Sequence, residues 1–327
     1  MMTNRELVLN AFQNKEVERV PVGFWFHFLP DEDSADALAD PSLARRSIEG
    51  HRSFIKEFHP DFVKIMSDGF FRYPIRGGQE VDCVNDLSRL APLDASDPWI
   101  ERQVDLAGQV IAMQKDTLYF YNIFSPLSSL RFLIGPDALL RYMETDAAAV
   151  AGALEMIGEG LATLARSVIR GGRVDGIYYS VQNPDINRIS DDMYRNYIAP
   201  GDKIVLSTAN EAGGNNILHI CGYAGVKNHL NTYADYPAAA YNWAVNVENV
   251  SLAEGKRLFG GRTVIGGFAN TPGSLIETGD REQIEAFTLA LLEDAGKTGV
   301  IIGADCTVPR GISLKRLEWV RKAASSI

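Results

Sequence analysis

Cysteine is scarce in this chain: Cys83, Cys221 and Cys306 are the only three in 327 residues. That scarcity excludes a disulfide framework and points to a reducing compartment. No basic block occurs either, since 42 acidic residues face 32 lysines and arginines for a formal charge of -10. Nucleic acid and anionic membrane surfaces are therefore excluded as partners, because nothing concentrates positive charge against phosphate. The opening Met-Met-Thr-Asn-Arg-Glu-Leu lacks the apolar stretch of a signal peptide, and the apolar runs read as too short to span a bilayer, so a cytoplasmic location is expected. Internal repeats, low-complexity tracts and linkers are absent. A hydrophobic content of 46% over residues 1–327 supports one large core and a single domain.

What the chain does contain is a regular alternation of short apolar runs and helical patterns. Strands are predicted at Arg19–Phe26, Phe62–Met66, Leu118–Ile123, Gly176–Val181, Asn216–Cys221, Ala240–Val245, Thr263–Gly267 and Val300–Gly303. Helices are predicted at Thr3–Gln13, where Thr-Asn-Arg-Glu makes a capping box, and at Ser42–Phe58 and Pro98–Lys115. Further helical patterns cover Gly135–Ile169, as one or two helices, then Asp191–Asn210, Ser251–Arg257, Arg281–Asp294 and Ser313–Ala324. Eight strands alternating with helices predict an α/β protein, a (β/α)8 TIM barrel with an N-terminal helical extension.

The chemistry concentrates on the fifth strand. His219 and Cys221 stand two residues apart, and alternation along a strand turns both to one face. Cys306 follows the eighth strand, so a barrel would bring it to the same C-terminal rim. An imidazole and two thiolates suit zinc, and three protein ligands would leave a fourth tetrahedral position open. Spacing alone keeps a second reading open, in which these are ordinary buried residues, and Cys83 is read as a small buried apolar residue. Asp68 after the second strand, Gln182 after the fourth and Asn270 after the seventh belong to the same rim. The aromatics Tyr121, Tyr179 and Phe268 are candidates to face a planar ligand, or else core.

These residues and their setting resemble the uroporphyrinogen decarboxylase superfamily, and within it the zinc-dependent methyltransferases that methylate a thiol such as coenzyme M from a methylcorrinoid. The resemblance rests on the Asn-Arg-Glu helix, Arg-Val-Pro-Val, Ser-Asp-Gly around Asp68, His-Ile-Cys-Gly, Gly-Gly-Phe-Ala-Asn at 266–270 and Gly-Ala-Asp-Cys-Thr-Val-Pro at 303–309. It implies zinc held by His219, Cys221 and Cys306. Asp68 would be a proton acceptor or orienting group, with Gln182, Asn270 and Tyr179 at the substrate. It also implies a methylcorrinoid co-substrate. The chain has no Asp-x-His-x-x-Gly corrinoid-ligating motif, so the corrinoid would arrive free or on a separate corrinoid protein. Where the decarboxylases carry an arginine-rich segment, this chain reads Phe26-His27-Phe28-Leu29-Pro30, which sets porphyrinogen decarboxylation aside. Demethylation, transfer to a non-thiol acceptor such as a reduced folate, and a barrel with a non-catalytic zinc remain alternatives.

Overall fold

The computed structural model describes residues 2–30, 36–67, 69–75 and 80–326. Eight parallel strands follow one another around a barrel: β1 (Val22–Gly23), β2 (Phe62–Ile65), β3 (Leu118–Phe124), β4 (Gly176–Val181), β5 (Ile217–Ile220), β6 (Ala240–Trp243), β7 (Thr263–Phe268) and β8 (Val300–Ala304). Each pairs with its successor from β2 onward, and β8 returns to β1 with Val22 opposite Ile302 and Gly23 opposite Gly303. Helices α1 (Asn4–Phe12) and α2 (Pro41–Phe58) flank β1, and α3 (Pro98–Ile111) leads into β3. The β3–β4 connection holds α4 (Pro126–Ile134), α5 (Pro136–Thr145) and α6 (Ala147–Arg170), and the next holds α7 (Asp191–Met193) and α8 (Ala199–Glu211). α9 (Val245–Glu248) and α10 (Leu252–Leu258) follow β6, α11 (Leu275–Thr278) and α12 (Arg281–Ala295) follow β7, and α13 (Leu314–Ala324) follows β8. This is the (β/α)8 TIM barrel expected from the alternation.

Strand parity divides the core in two. Phe62, Phe120, Tyr178, Ile217, Ala240 and Ile301 meet inside the barrel, while their strand neighbours pack outward on the helices. The N-terminal helix closes the end where the strands begin. Val8 and Ala11 of α1 join the interior cluster, Phe12 meets Phe120 at 5.7 Å, and Thr263 Oγ1 donates to the Ala11 carbonyl at 2.8 Å. Its predicted capping box is present, with Thr3 Oγ1 accepting from the Glu6 amide and Glu6 from the Thr3 amide.

Among the described residues no backbone ladder joins β1 to β2, and a buried carboxylate bridges the seam. Asp61, just before β2, accepts from the Val22 amide at 2.7 Å and from both Arg19 terminal nitrogens at 2.6 Å. A bidentate arginine and an amide satisfy a fully buried charge, so the seam holds without the penalty of an unpaired ion. Pro21 and this side-chain bridge shorten the first strand to two residues, well inside the predicted Arg19–Phe26. At β8, a Cβ on Gly303 would stand 2.4 Å from the Gly23 carbonyl oxygen. Glycine is what lets these strands approach.

Other differences have local causes. Asp146 ends α5 and caps α6 by accepting from the Ala149 amide, so Gly135–Ile169 holds two helices. Pro200 starts α8 afresh, and a π-helical turn at Tyr194–Ile198 interrupts the helix expected over Asp191–Asn210. β6 ends at Trp243 because Val245 opens α9. α4 was not predicted, although Ser125 capping a Pro-initiated turn is its signature. Cys83 is exposed at the start of a 3-10 turn, contrary to the buried role expected of it. Helix α6 is by length and composition apolar enough to cross a bilayer, against expectation, but half of that stretch is buried in the fold. It packs closely on α8, where a Cβ on Gly158 would meet the Gly201 carbonyl at 2.9 Å.

Outside the barrel a second buried carboxylate is held by phenols alone. Asp202 of α8 accepts from Tyr179 at 2.8 Å, Tyr236 at 2.7 Å and Tyr194 at 3.3 Å. Desolvation outweighs these three bonds and pushes its carboxyl up to about 6. A raised acid favours the protonated folded state, so its stabilising effect is complete below the unfolded value near 4 and is lost as pH rises through about 6. Asp202→Asn should therefore change the stability difference from the parent by roughly 2–3 kcal/mol between pH 4 and pH 7, in favour of the variant at higher pH. Urea unfolding of both proteins at several pH values measures this, and a pH-independent difference would contradict the assignment.

Candidate metal centre

The C-terminal half of the barrel interior is polar. Lys64, Asn122, Ser180, His219 and Asn242 all point inward and all are buried. Such a layer is stable only if its hydrogen bonds are made, and Asn242 on β6 makes most of them. Its Oδ1 accepts from Tyr178 at 2.7 Å and pairs with His219 Nδ1, while its Nδ2 donates to the carbonyls of Ile265 at 2.8 Å and Ala304 at 3.2 Å. An amide oxygen already accepting a phenol proton requires His219 Nδ1 to be the protonated nitrogen. Nε2 is then left as a lone pair.

That lone pair faces sulfur. His219 Nε2 lies 3.4 Å from Cys306 Sγ, and the donor atoms of His219, Cys221 and Cys306 all lie within 4.8 Å of one another. In a tetrahedral zinc site with bonds of ~2.0–2.3 Å, neighbouring donors stand about 3.5–3.8 Å apart. The His219–Cys306 pair is at that spacing, and all three atoms lie within about 1 Å of it or closer. Both cysteines are free thiols, and each is a half-buried residue at the barrel mouth. The hydrogen bond from Cys221 holds Cys306 well below the ordinary thiol range and pushes Cys221 up in turn. The donor set fits a soft divalent cation such as zinc, with the Nδ1 hydrogen bond supplying the usual outer support of a metal-bound histidine.

Alternation places His219 and Cys221, but it does not place Cys306, which comes after β8 has ended. A braced turn does so. The Asp305 amide donates to the Phe268 carbonyl at 2.8 Å, and Asp305 Oδ2 accepts from the Asn246 amide and side chain at 2.9 Å each. Asn270 Nδ2 donates to the Thr307 carbonyl at 2.9 Å on the other side. Burial pushes the Asp305 carboxyl up to about 6, and its Oδ1 is buried with no partner among the described residues.

The other predicted site residues are less uniform. Asn270 is at the rim, as a brace of the Cys306 turn. Gln182 is also there, accepting from Arg131 at 2.8 Å and donating to the Tyr223 carbonyl at 3.0 Å, so both ends of its amide are engaged. Asp68 lies outside the described residues. Tyr179 needs correction: it points away from the mouth, to Asp202. Tyr178, one residue earlier, has the inward parity and lies with its ring centroid 5.5 Å from that of His219. Tyr121 and Phe268 are likewise core, the first donating to Gln103 and the second packed on Phe24 and Phe287.

Asn242, Tyr178, Lys64 and Asp305 were missed. Parity could have found Tyr178, and a lysine in the middle of an apolar strand was a visible signal for Lys64. For Asn242 nothing local distinguishes it from a strand-end asparagine. Replacing it tests its role: Asn242→Leu should weaken zinc binding about 10- to 100-fold, the range found for outer-shell partners of metal-bound histidines. Asn242→Asp, which keeps the acceptor, should lose less. Competition with a chelator reads both, and a Leu variant holding zinc as the parent does would refute the role.

Comparison with known proteins gives the family. Residues 77–327 match the model of the uroporphyrinogen decarboxylase (URO-D) family. No curated protein matches the chain by sequence. Among solved structures the fold is similar to a methyltransferase from Methanosarcina mazei, with a TM-score of 0.72 and 15% identity over 99% of this chain and 98% of that one. It is also similar to a B12-independent methionine synthase from Shewanella sp. W3-18-1 in complex with selenomethionine, with a TM-score of 0.57 and 12% identity over 94% and 97% of the two chains. At these identities the likeness is one of fold. With most of its length matching the family model and the barrel to go with it, the chain belongs to the uroporphyrinogen decarboxylase family.

Proposed function

We propose that this protein is a zinc-dependent methyltransferase that moves a methyl group from a methylcorrinoid, free or carried on a separate corrinoid protein, to a small thiol. The observation that carries the reading is the convergence of His219 Nε2, Cys221 Sγ and Cys306 Sγ at the barrel mouth, three donors and no fourth among the described residues. Zinc held there would supply the Lewis acidity by which an acceptor thiol loses its proton near neutral pH. The likeness of fold to proteins named as a methyltransferase and a methionine synthase supports methyl transfer as the reaction class.

In this reading the chain's own groups prepare the site. Asn242 presents Nε2 of His219, and the Asp305 turn presents Cys306 Sγ. Tyr178, whose phenol burial holds it well above its usual range and so protonated, walls the site from below. Gln182, Arg131 and the Tyr223 carbonyl form a connected rim between β4 and β5, which we assign to shaping the entrance. Asp68 is assigned as the group that accepts a proton from, or orients, the acceptor. As the sulfur–carbon bond forms, the carbon–cobalt bond breaks with its electron pair remaining on cobalt, and the thiol proton passes to solvent, by way of Asp68 where that carboxylate is the acceptor. Three free cysteines suit the reducing cytoplasm, where both a thiol and a low-valent corrinoid survive.

Zinc analysis of the purified protein should give about one ion per chain, since one cluster of ligands is present among the described residues. Cys221→Ser and Cys306→Ser should each lose most of that zinc and at least ~100-fold of the rate of methylcobalamin demethylation by a thiol. Coenzyme M, homocysteine and 2-mercaptoethanol, assayed side by side, identify the acceptor. Demethylation that needs no thiol, or serine variants that keep zinc and rate, would defeat the proposal.

A further inference from the structure

The barrel mouth has a second feature that the candidate metal centre does not use. A cavity of about 30 Å³ lies on its β2–β3 side, between the ends of those two strands and helices α3, α4 and α6. That is room for about two water-sized groups. The wall nearest the barrel is Ser67 and Asn122, and Asn122 accepts at 3.2 Å from Ser180, the residue in register with His219. The cavity thus shares the polar layer with the donor triad but stands two strands away from His219, ~10 Å at the ordinary spacing. Its other walls are largely apolar, from Phe71, Phe124, Phe132, Leu161 and Leu164, and Phe132 at 38% exposure marks where they meet solvent.

Most polar groups around this space are already paired. Ser67 Oγ donates to the Asn122 carbonyl at 3.0 Å, and Tyr73 donates to the Ala91 carbonyl at 2.8 Å. Gln103 accepts from Tyr121 at 3.1 Å and donates to the Trp99 carbonyl at 3.0 Å. Arg72, the one charged side chain among the described lining residues, has an interaction of its own. Two donors are left over. The indole Nε1 of Trp99, a residue 3% exposed, is buried without a partner, and the hydroxyl of Ser129, at 8% exposure, makes no hydrogen bond among the described residues. A buried donor without a partner is costly, and two that line one small space call for the same kind of guest, an acceptor oxygen. A carboxylate is the wrong guest, since in an apolar enclosure it would lose its hydration without gaining a counter-charge. We propose that this cavity is a binding subsite for an uncharged carbonyl group, such as a carboxamide or an ester, held by Trp99 Nε1 and Ser129 Oγ. The subsite needs no metal, so it stands or falls apart from the reading under Proposed function.

Fluorine NMR of the full chain carrying 5-fluorotryptophan tests this. Four tryptophans give four signals, and Trp99→Phe identifies the one that belongs to Trp99. The probes are propionamide and propionate, alike in shape and different in charge. Propionamide should move the Trp99 signal saturably at millimolar concentration and leave those of Trp243 and Trp319 in place. Propionate should bind at least ~10-fold more weakly. Ser129→Ala should weaken propionamide about two- to tenfold, the scale of one hydrogen bond, and saturation transfer to the ligand should show a loss of similar size in Trp99→Phe. Trp99→Tyr replaces the Phe variant if the latter lacks the parent's far-UV circular dichroism. The inference is overturned by the absence of a saturable Trp99 shift, by equal shifts of all four signals, or by propionate binding as tightly as propionamide. Propionamide binding that is unchanged in either variant would overturn it too. Zinc content, which tests the metal reading, is untouched by any of these results.

Discussion

One side-chain amide holds the candidate centre together. Asn242 is fully buried, and the four hydrogen-bonding capacities of its amide are used by Tyr178 on β4, His219 on β5, the Ile265 carbonyl on β7 and the Ala304 carbonyl on β8. Because an amide has one face that only accepts and one that only donates, this pattern has a single solution. It fixes the imidazole tautomer, the direction of the free lone pair and the approach of β8 to β5 together. The distance between Cys306 Sγ and His219 Nε2 is thus a consequence of how four strands meet one residue, more than of any property of the two ligands.

The same economy explains which parts of the molecule could be read from its sequence. Period and parity are local, so eight strands, their order and the shared face of His219 and Cys221 were legible. The face of β4 was legible too, and was misassigned: the same alternation that put Gln182 inward puts Tyr178, and not Tyr179, with it. Contacts between strands distant in sequence were not legible. Asn242 to Ala304 spans 62 residues and Asp61 to Arg19 spans 42, and neither residue type nor spacing announces either bond. Cys306 was placed at the mouth on the assumption that a strand end suffices. What places it is a turn tied down by Asn246, Asn270 and the Phe268 carbonyl.

Arg131 and Lys64 show how charge is distributed about this mouth. Arg131 on α4 is half-buried and Lys64 on β2 is buried. The segment Phe26-His27-Phe28-Leu29-Pro30 adds no arginine: Phe26 packs edge-on against Phe54 of α2, and Phe28 lies 4.4 Å from the His51 ring. A substrate with many carboxylates would therefore find aromatic wall where it needs cations.

Membership of a decarboxylase family does not conflict with transfer chemistry, because a barrel separates its framework from its reactive rim. Here the framework is the lower half, with α1 as its plug and Asp61 bridging the seam that lacks a ladder. The reactive half begins at the layer where apolar interior residues give way to Lys64, Asn122, Ser180, His219 and Asn242. Five buried polar side chains in one layer would be costly in a barrel built only to be stable, since well-packed apolar residues of similar volume would serve it as well or better. Their hydrogen bonds to one another, Ser180 on Asn122, Tyr178 on Asn242, His219 on Asn242, keep that cost small and leave one imidazole nitrogen and two sulfurs facing the mouth. Polar groups this deep are retained for what they hold in place, and what they hold in place here is a triad of donor atoms with the spacing and chemistry of a candidate metal centre.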